Sequence, residues 1–206
     1  MCGRYFIDDD DYEIQQLLKE LNDGQSGIKT GEIYPTDTVP VTRSDGVAAL
    51  KWGFPLWSGN GVVINARAET ALEKKLFQAS VLERRCVVPS SGYYEWDHIN
   101  GRAKKDKYLL KRPGAATLYM AGVWSKFQDA NGEYEAFVIL TTDSDESMTA
   151  PETEQSLFPD EHRPIHDRMP VILEPEECGE WLGSDSFARL VLQRSGPTLS
   201  LTRVAP

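Results

Sequence analysis

The chain has 206 residues, and its 22 basic residues against 32 acidic ones give a formal net charge of −10. That length suits one well-filled core and a single domain over 1–206. The acid excess excludes an extended basic groove for nucleic acid, which draws on cations to neutralise phosphates, and permits only a small positive cleft.

In chain order, "MCGRYF" predicts an opening strand. Asp10 or Asp11 then caps a helix in which Ile14, Leu17, Leu18 and Leu21 recur with the spacing of one buried face. Gly24 to Gly31 reads as loop. "TVPVT" and "VAALKW" around Ser44-Asp45-Gly46 predict a hairpin, "VVIN" a further short strand, and "ARAETALEKKLF" a helix. From Cys86 a run of strands follows, "RCVVP", "GYYEW", "KYLLK", "TLYMAGVW" and "EAFVILTT", punctuated by turn signals such as Asn100-Gly101 and Asn131-Gly132, which predicts an antiparallel meander. "MPVIL" is one more strand, Pro175 starts a short helix carrying Trp181, "SFARLVLQRS" is helical and "TLSLTRV" closes as a strand. The order is neither βαβ alternation nor repeat, so the expected fold is α+β, a curved antiparallel sheet or partly open barrel with flanking helices.

Cys2, Cys86 and Cys178 are odd in number and lack metal-ligand spacing. No window approaches the roughly 18 apolar residues of a membrane span, and no basic stretch leads into an apolar run. The expectation is a soluble, cytoplasmic chain without disulfides, metal or cofactor. Acid concentrates in Asp8 to Asp11, in an insert over about 143–164 and in Glu174 to Glu180, runs that read as solubilising faces.

Cys2 carries the chemical interest. Once Met1 is removed, it bears both a thiol and a free α-amine, whose ordinary pKa of about 7.7–8.0 leaves an appreciable nucleophilic fraction near neutrality. The amine suits imine formation with an aldehyde, and the adjacent thiol can close a thiazolidine on the imine carbon. By position alone Cys2 reads rather as a small apolar residue packed in an N-terminal strand. Glu95 within "YYEW" reads alone as the exposed face of an alternating strand, and His166 as a loop residue bonded to its neighbour.

"MCGRY", "KWGF", "INARAET", "SGYYEW" and "IHDRMPVIL", in this order from Cys2 to about Leu173, resemble the SOS-response-associated peptidase (SRAP) family of abasic-site-processing proteins. The resemblance implies the SRAP fold and a monomeric protein that captures abasic sites in single-stranded DNA as a covalent thiazolidine, nucleoid-associated when bound. It implies Cys2 as nucleophile, Asn65 as orienting amide, Glu95 as the acid/base carboxylate and His166 as the proton donor for sugar-ring opening, each with an intelligible role. It also implies self-directed cysteine peptidase activity on Met1 and lyase-type activity. For DNA contact the candidates are Arg4, Arg67 and Arg168 on phosphates, with Trp57, Trp52 and Phe54 as stacking surfaces.

Two features depart from the family pattern. "GEIYPTD" places Glu32 and Ile33 where an Asn and an apolar-Ala-Pro stretch are common, and the acidic insert precedes His166, as an exposed loop or a lid. The alternative is an N-terminal-nucleophile amidohydrolase of glutaminase type, since "MCG" also opens such domains, where the thiol attacks an amide carbonyl. A non-catalytic single-strand binder is a third class, disfavoured by the net charge.

Overall fold

The structure, a computed structural model, describes residues 2–21, 27–96, 106–114, 117–144, 165–197 and 199–204. The acidic insert from 145 to 164, His98, His162 and the Asn100-Gly101 turn lie outside the described residues.

Strand β1 (Arg4–Ile7) is followed by helix α1 (Tyr12–Leu21). Asp11 caps α1 through Oδ1, which accepts from the backbone N–H groups of Glu13 and Ile14 and so satisfies two of the donors left open at a helix start. Ile14 and Leu21 are buried, while Leu17 and Leu18 lie at the margin of the contact. After β2 (Gly31–Ile33), strands β3 (Thr38–Arg43) and β4 (Gly46–Trp52) form the expected hairpin. Then come β5 (Phe54–Pro55), β6 (Val62–Val63) and β7 (Asn65–Arg67), the helical turns α2 (Ala68–Ala71) and α3 (Gln78–Glu83), and strands β8 (Arg85–Ser90), β9 (Gly92–Trp96), β10 (Lys107–Lys111), β11 (Leu118–Asp129) and β12 (Gly132–Asp143). The chain finishes with β13 (Arg168–Pro170), β14 (Ile172–Leu173), a 3-10 turn at Pro175–Glu177, α4 (Cys178–Gly183), α5 (Asp185–Val191) and β15 (Ser200–Val204).

The barrel closes. β12 pairs antiparallel with β11 on one edge and parallel with β4 on the other, and β4–β3, β3–β8 and β8–β11 complete a five-stranded ring. A second sheet, in the order β15-β10-β9-β1-β2, packs against it. The strand run from Cys86 is therefore not a simple meander. β8 stays in the barrel, and the chain passes into the second sheet at Ser91-Gly92. Gly92 has φ +149°, and a Cβ there would meet the Leu110 carbonyl at 2.8 Å, so only glycine makes this crossing without strain.

The expected helix over "ARAETALEKKLF" is reduced to the single turn α2, because Asn65–Arg67 is drawn into parallel pairing with Ile139–Thr141 of β12, the helix starts only at Ala68, and residues 72–77 are turns; α3 begins beyond the motif, at Gln78. "VVIN" splits likewise, β6 pairing with β5 and β7 with β12.

Alternation along the strands builds two apolar clusters. Phe137 and Ile139 join Tyr5, Tyr93, Tyr108, Val39, Leu50 and Trp52 between the barrel and the inner face of the second sheet. Val138 and Leu140 face the other way, under α2 to α5, with Phe54, Phe77, Val81 and Trp181. Trp181 Nε1 donates to the Cys86 carbonyl at 2.9 Å, and Arg85 Nε donates to the Trp181 carbonyl at 2.6 Å, which ties α4 to the start of β8.

Candidate active site

Cys2 leads into β1 and is fully buried in the chain that carries Met1. Asn65, the first residue of β7, donates through Nδ2 to the Cys2 carbonyl at 2.8 Å. A carbonyl can only accept, so this contact orients the amide and turns Oδ1 away. Oδ1 is buried and has no hydrogen-bond partner among the described residues, an acceptor left for a bound group. Trp52 sits directly behind: its Nε1 donates to the Ile64 carbonyl at 3.1 Å, and its ring meets Tyr5 edge-on at 5.0 Å. The motif residues Trp52 and Asn65 thus form one support. Gly53 makes it possible, since at φ +116° a Cβ would strike Val62 at 2.8 Å.

Glu95 lies on β9 opposite Tyr108 of β10, on the face turned into the molecule, and is 3 % exposed. The alternating pattern of "YYEW" is present, but Glu95 is on its inner side rather than its outer one. Burial raises the Glu95 carboxyl above the usual carboxylate range, with the charge of Asp167 adding to it. Burial likewise pushes the Cys2 thiol far up, and the Glu95 charge pushes it further. The thiol is therefore protonated at neutral pH, whereas the carboxyl is brought nearer to neutrality, where it can both take and give a proton.

His166 lies on the segment leading into β13, with its side chain 17 % exposed. The Arg168 backbone N–H donates to its Nδ1 at 3.0 Å, so in the neutral ring Nε2 carries the hydrogen. Asp167 Oδ1 is 2.9 Å from the same Nδ1 and receives its hydrogen when the ring is charged. Through Asp167 this segment acts electrostatically on Glu95, and Glu95 acts on Cys2. Asn65 thus touches the Cys2 backbone directly, and Glu95 and Asp167, the neighbour of His166, lie close enough for their charges to be felt there in turn.

The arginines divide. Arg4 is on the outer face of β1; its Nη1 lies 3.2 Å from Glu32 Oε1, and its guanidinium stacks 4.1 Å from the Tyr34 ring centre and 5.0 Å from that of Trp96. Arg67 is exposed at the end of β7. Arg168 is only 5 % exposed: Nη1 and Nη2 bind Glu69 in bidentate fashion at 2.8 and 2.9 Å, Nη1 also reaches Asp143 at 2.5 Å, and Nη2 the Thr141 carbonyl at 2.6 Å. Its guanidinium joins β12, β13 and α2, holding the backbone two residues from His166. Burial opposes ionisation of Glu69, yet Arg168 keeps its carboxyl below the usual range.

The tryptophans divide too. Trp52 and Phe54 are fully buried, whereas Trp57 projects wholly into solvent on the turn after β5. Tyr34, Trp96 and Lys107, which gather round Arg4, were not singled out by sequence; cross-strand register, which a single strand does not display, brings them together. Among the described residues no group of three or more His, Cys, Asp or Glu side chains is placed to hold a metal ion, and no helix is long and apolar enough to cross a membrane.

A family model described as SOS response associated peptidase (SRAP) matches residues 1–205. The chain is 30% identical over 210 residues to the abasic site processing protein YoaM of Bacillus subtilis, covering 94% of this chain and 84% of that one. It is 29% identical over 132 residues to the abasic site processing protein YedK of Escherichia coli, covering 64% and 52%. A solved structure from Bacteroides thetaiotaomicron superposes with a TM-score of 0.73 at 25% identity, over 99% of this chain and 92% of that one. With a match running from end to end, the chain belongs to the SRAP family.

Proposed function

We propose that this protein acts on abasic sites in DNA, capturing them in single strands through Cys2 after loss of Met1. The observation that carries the reading is the set around Cys2: the Asn65 amide on its carbonyl and a buried carboxyl, Glu95, whose raised pKa suits proton transfer. The relatives' name, abasic site processing protein, supports the same reading.

In the reaction, His166 in its imidazolium form gives its Nε2 proton to the ring oxygen of the deoxyribose while the anomeric hydroxyl loses its own proton to water, and the hemiacetal opens to its aldehyde. The Cys2 amine attacks the aldehyde carbon. Glu95 relays a proton from the amine to the departing hydroxyl, water leaves, and an imine forms. The thiol then adds across the C=N bond, its proton passing to the nitrogen, so that aldehyde plus aminothiol becomes thiazolidine plus one water. A thiol held protonated favours this amine-first order over the thiolate attack of a glutaminase-type amidohydrolase. Asn65 Oδ1 is an acceptor for the amine or a sugar hydroxyl. Release of Met1 by hydrolysis of the Met1–Cys2 bond is the peptidase step that must come first, and the thiazolidine diverts the imine from lyase-type strand cleavage. The protein acts as a monomer, on this reading, and needs no cofactor.

Intact-protein mass spectrometry with a denaturing gel tests this, after mixing with a single-stranded oligonucleotide bearing one abasic site. A DNA-sized adduct on a chain lacking Met1 is expected, absent in Cys2→Ala and no more stable than a labile imine in Cys2→Ser. An unmodified chain that forms no adduct overturns the reading and makes amide hydrolysis the next assay.

A further inference from the structure

The outer face of the second sheet carries a cluster that the reaction does not use. Register sets Arg4 of β1 opposite Tyr94 of β9, and Trp96 of β9 opposite Lys107 of β10, so the two cations flank an aromatic strip on three neighbouring strands. Both cations converge on a single oxygen of β2: Arg4 Nη1 lies 3.2 Å and Lys107 Nζ 2.6 Å from Glu32 Oε1. One carboxylate thus serves two cations, and the cluster keeps a surplus positive charge.

The aromatic faces hold the cations from the other side. Arg4 lies over Tyr34 and Trp96, and Lys107 Nζ lies 3.8 Å from the Tyr94 ring centre and 5.6 Å from that of Trp96. Arg4 Nε is buried without a hydrogen-bond partner among the described residues. The Glu32, Arg4 and Lys107 side chains are 31, 29 and 23 % exposed, so an anion from solvent can reach them. The cluster adjoins the reactive end of the chain, because Cys2 Sγ itself contacts the Arg4 carbonyl at 3.7 Å.

We propose that Lys107 is a further phosphate contact for the single strand, and that the Glu32 carboxylate is an internal stand-in for that phosphate, displaced from Arg4 and Lys107 when the strand docks. The proposal rests on the DNA reading above. Glu32 sets how readily the strand enters: it keeps the two cations aligned over their rings, and it competes with every incoming phosphate. Burial works against its ionisation, but Lys107 and then Arg4 hold its carboxyl below the usual range, so the competitor stays charged throughout the neutral region. A chain with a net charge of −10 gains selectivity this way, since only a strand able to displace Glu32 is retained beside Cys2.

Fluorescence anisotropy with a labelled single-stranded oligonucleotide carrying no abasic site tests the idea without any bond being formed. Glu32→Gln should bind several-fold tighter than the parent, and its log–log salt slope should steepen by about 0.7, the value for one further phosphate neutralised on a single strand. Glu32→Asp, which keeps the charge on a shorter stem, should fall between the two. Glu32→Gln/Lys107→Ala should lose the gain. The proposal is overturned if Glu32→Gln binds no tighter than the parent while melting cooperatively, or if its gain survives removal of Lys107. A protein that shows this binding pattern yet never forms the adduct sinks abasic-site capture and leaves the Glu32 contact standing; one that forms the adduct with no such pattern does the reverse.

Discussion

The barrel side of the site and the sheet side are held in opposite ways. On the barrel side, the buried Trp52 and Arg168 and the half-buried Asn65 donate to the Ile64, Thr141 and Cys2 carbonyls, and Arg168 also forks onto the half-exposed Glu69 carboxylate. On the sheet side, Arg4, Glu32 and Lys107 meet as partly exposed ion pairs over aromatic rings. Buried contacts have no water to fall back on, so breaking them costs stability and they act as fixed geometry. Exposed pairs exchange partners cheaply, median worth about 0–1 kcal/mol, and can yield to a ligand. On the proposed reading, one wall positions the reacting groups and the other admits the strand.

Truncating the fixed wall should have the largest effect. Trp52→Ala removes a fully buried indole that packs on Tyr5, and is expected to cost about 3–5 kcal/mol in urea unfolding, with adduct formation lost along with the fold. A near-parental midpoint would mean that the wall relaxes and the contrast is false.

Glu95→Gln separates chemistry from structure within the same core. Adduct formation should slow about 100-fold, the ordinary worth of a positioned acid/base group. Stability should move the other way. The folded Glu95 carboxyl is raised above its unfolded value, so its favourable contribution is complete below that value, about 4.5, and is lost as pH rises through the folded pKa. The parent therefore carries a buried charge at neutral pH that the amide lacks. The Gln variant should be at least as stable as the parent at pH 7, with its advantage shrinking towards pH 4; thermal melts across that range check it, and a variant less stable at pH 7 than at pH 4, relative to the parent, contradicts the assignment.

Arg168→Met should cost about 2 kcal/mol by removing charge-assisted bonds to Glu69, Asp143 and Thr141, and the loss should appear in unfolding before it appears in DNA affinity. If the variant melts like the parent but binds single strands weakly, Arg168 belongs to the adjustable wall and contacts phosphate. Trp57→Ala should change stability by less than about 0.5 kcal/mol, being fully exposed, while weakening single-strand binding by about 1 kcal/mol if a base stacks there. Anisotropy and melting curves on the same samples distinguish the two readouts.

Four residues separate Trp52 from Trp57, and both are candidates for stacking, yet one is core and the other is all surface. The difference is Gly53, whose positive φ takes the chain out of the barrel strand between them. The arginines show the same limit. Arg4, Arg67 and Arg168 look alike as lone cations in motifs, but only the parallel pairing of β7 with β12 and the seating of β13 against β12 carry Glu69 and Asp143 to Arg168.

What the sequence determined by itself is therefore local or patterned: a cap at Asp10 or Asp11 and the amphipathic α1, the hairpin at Ser44-Asp45, an α+β course and, through five short motifs in order, the family. Each is carried by residue type at short spacing, where sterics and side-chain-to-backbone hydrogen bonds act within a few residues. The closure of the barrel, the passage of the chain between sheets at Gly92, the inward face of Glu95 and the ring of Tyr34, Trp96, Lys107 and Glu32 around Arg4 were decided by tertiary structure. They depend on cross-strand register and on burial, and both are properties of strands brought together from distant parts of the chain: a carboxylate acquires its raised pKa, and an arginine its partner, only when that packing has excluded water.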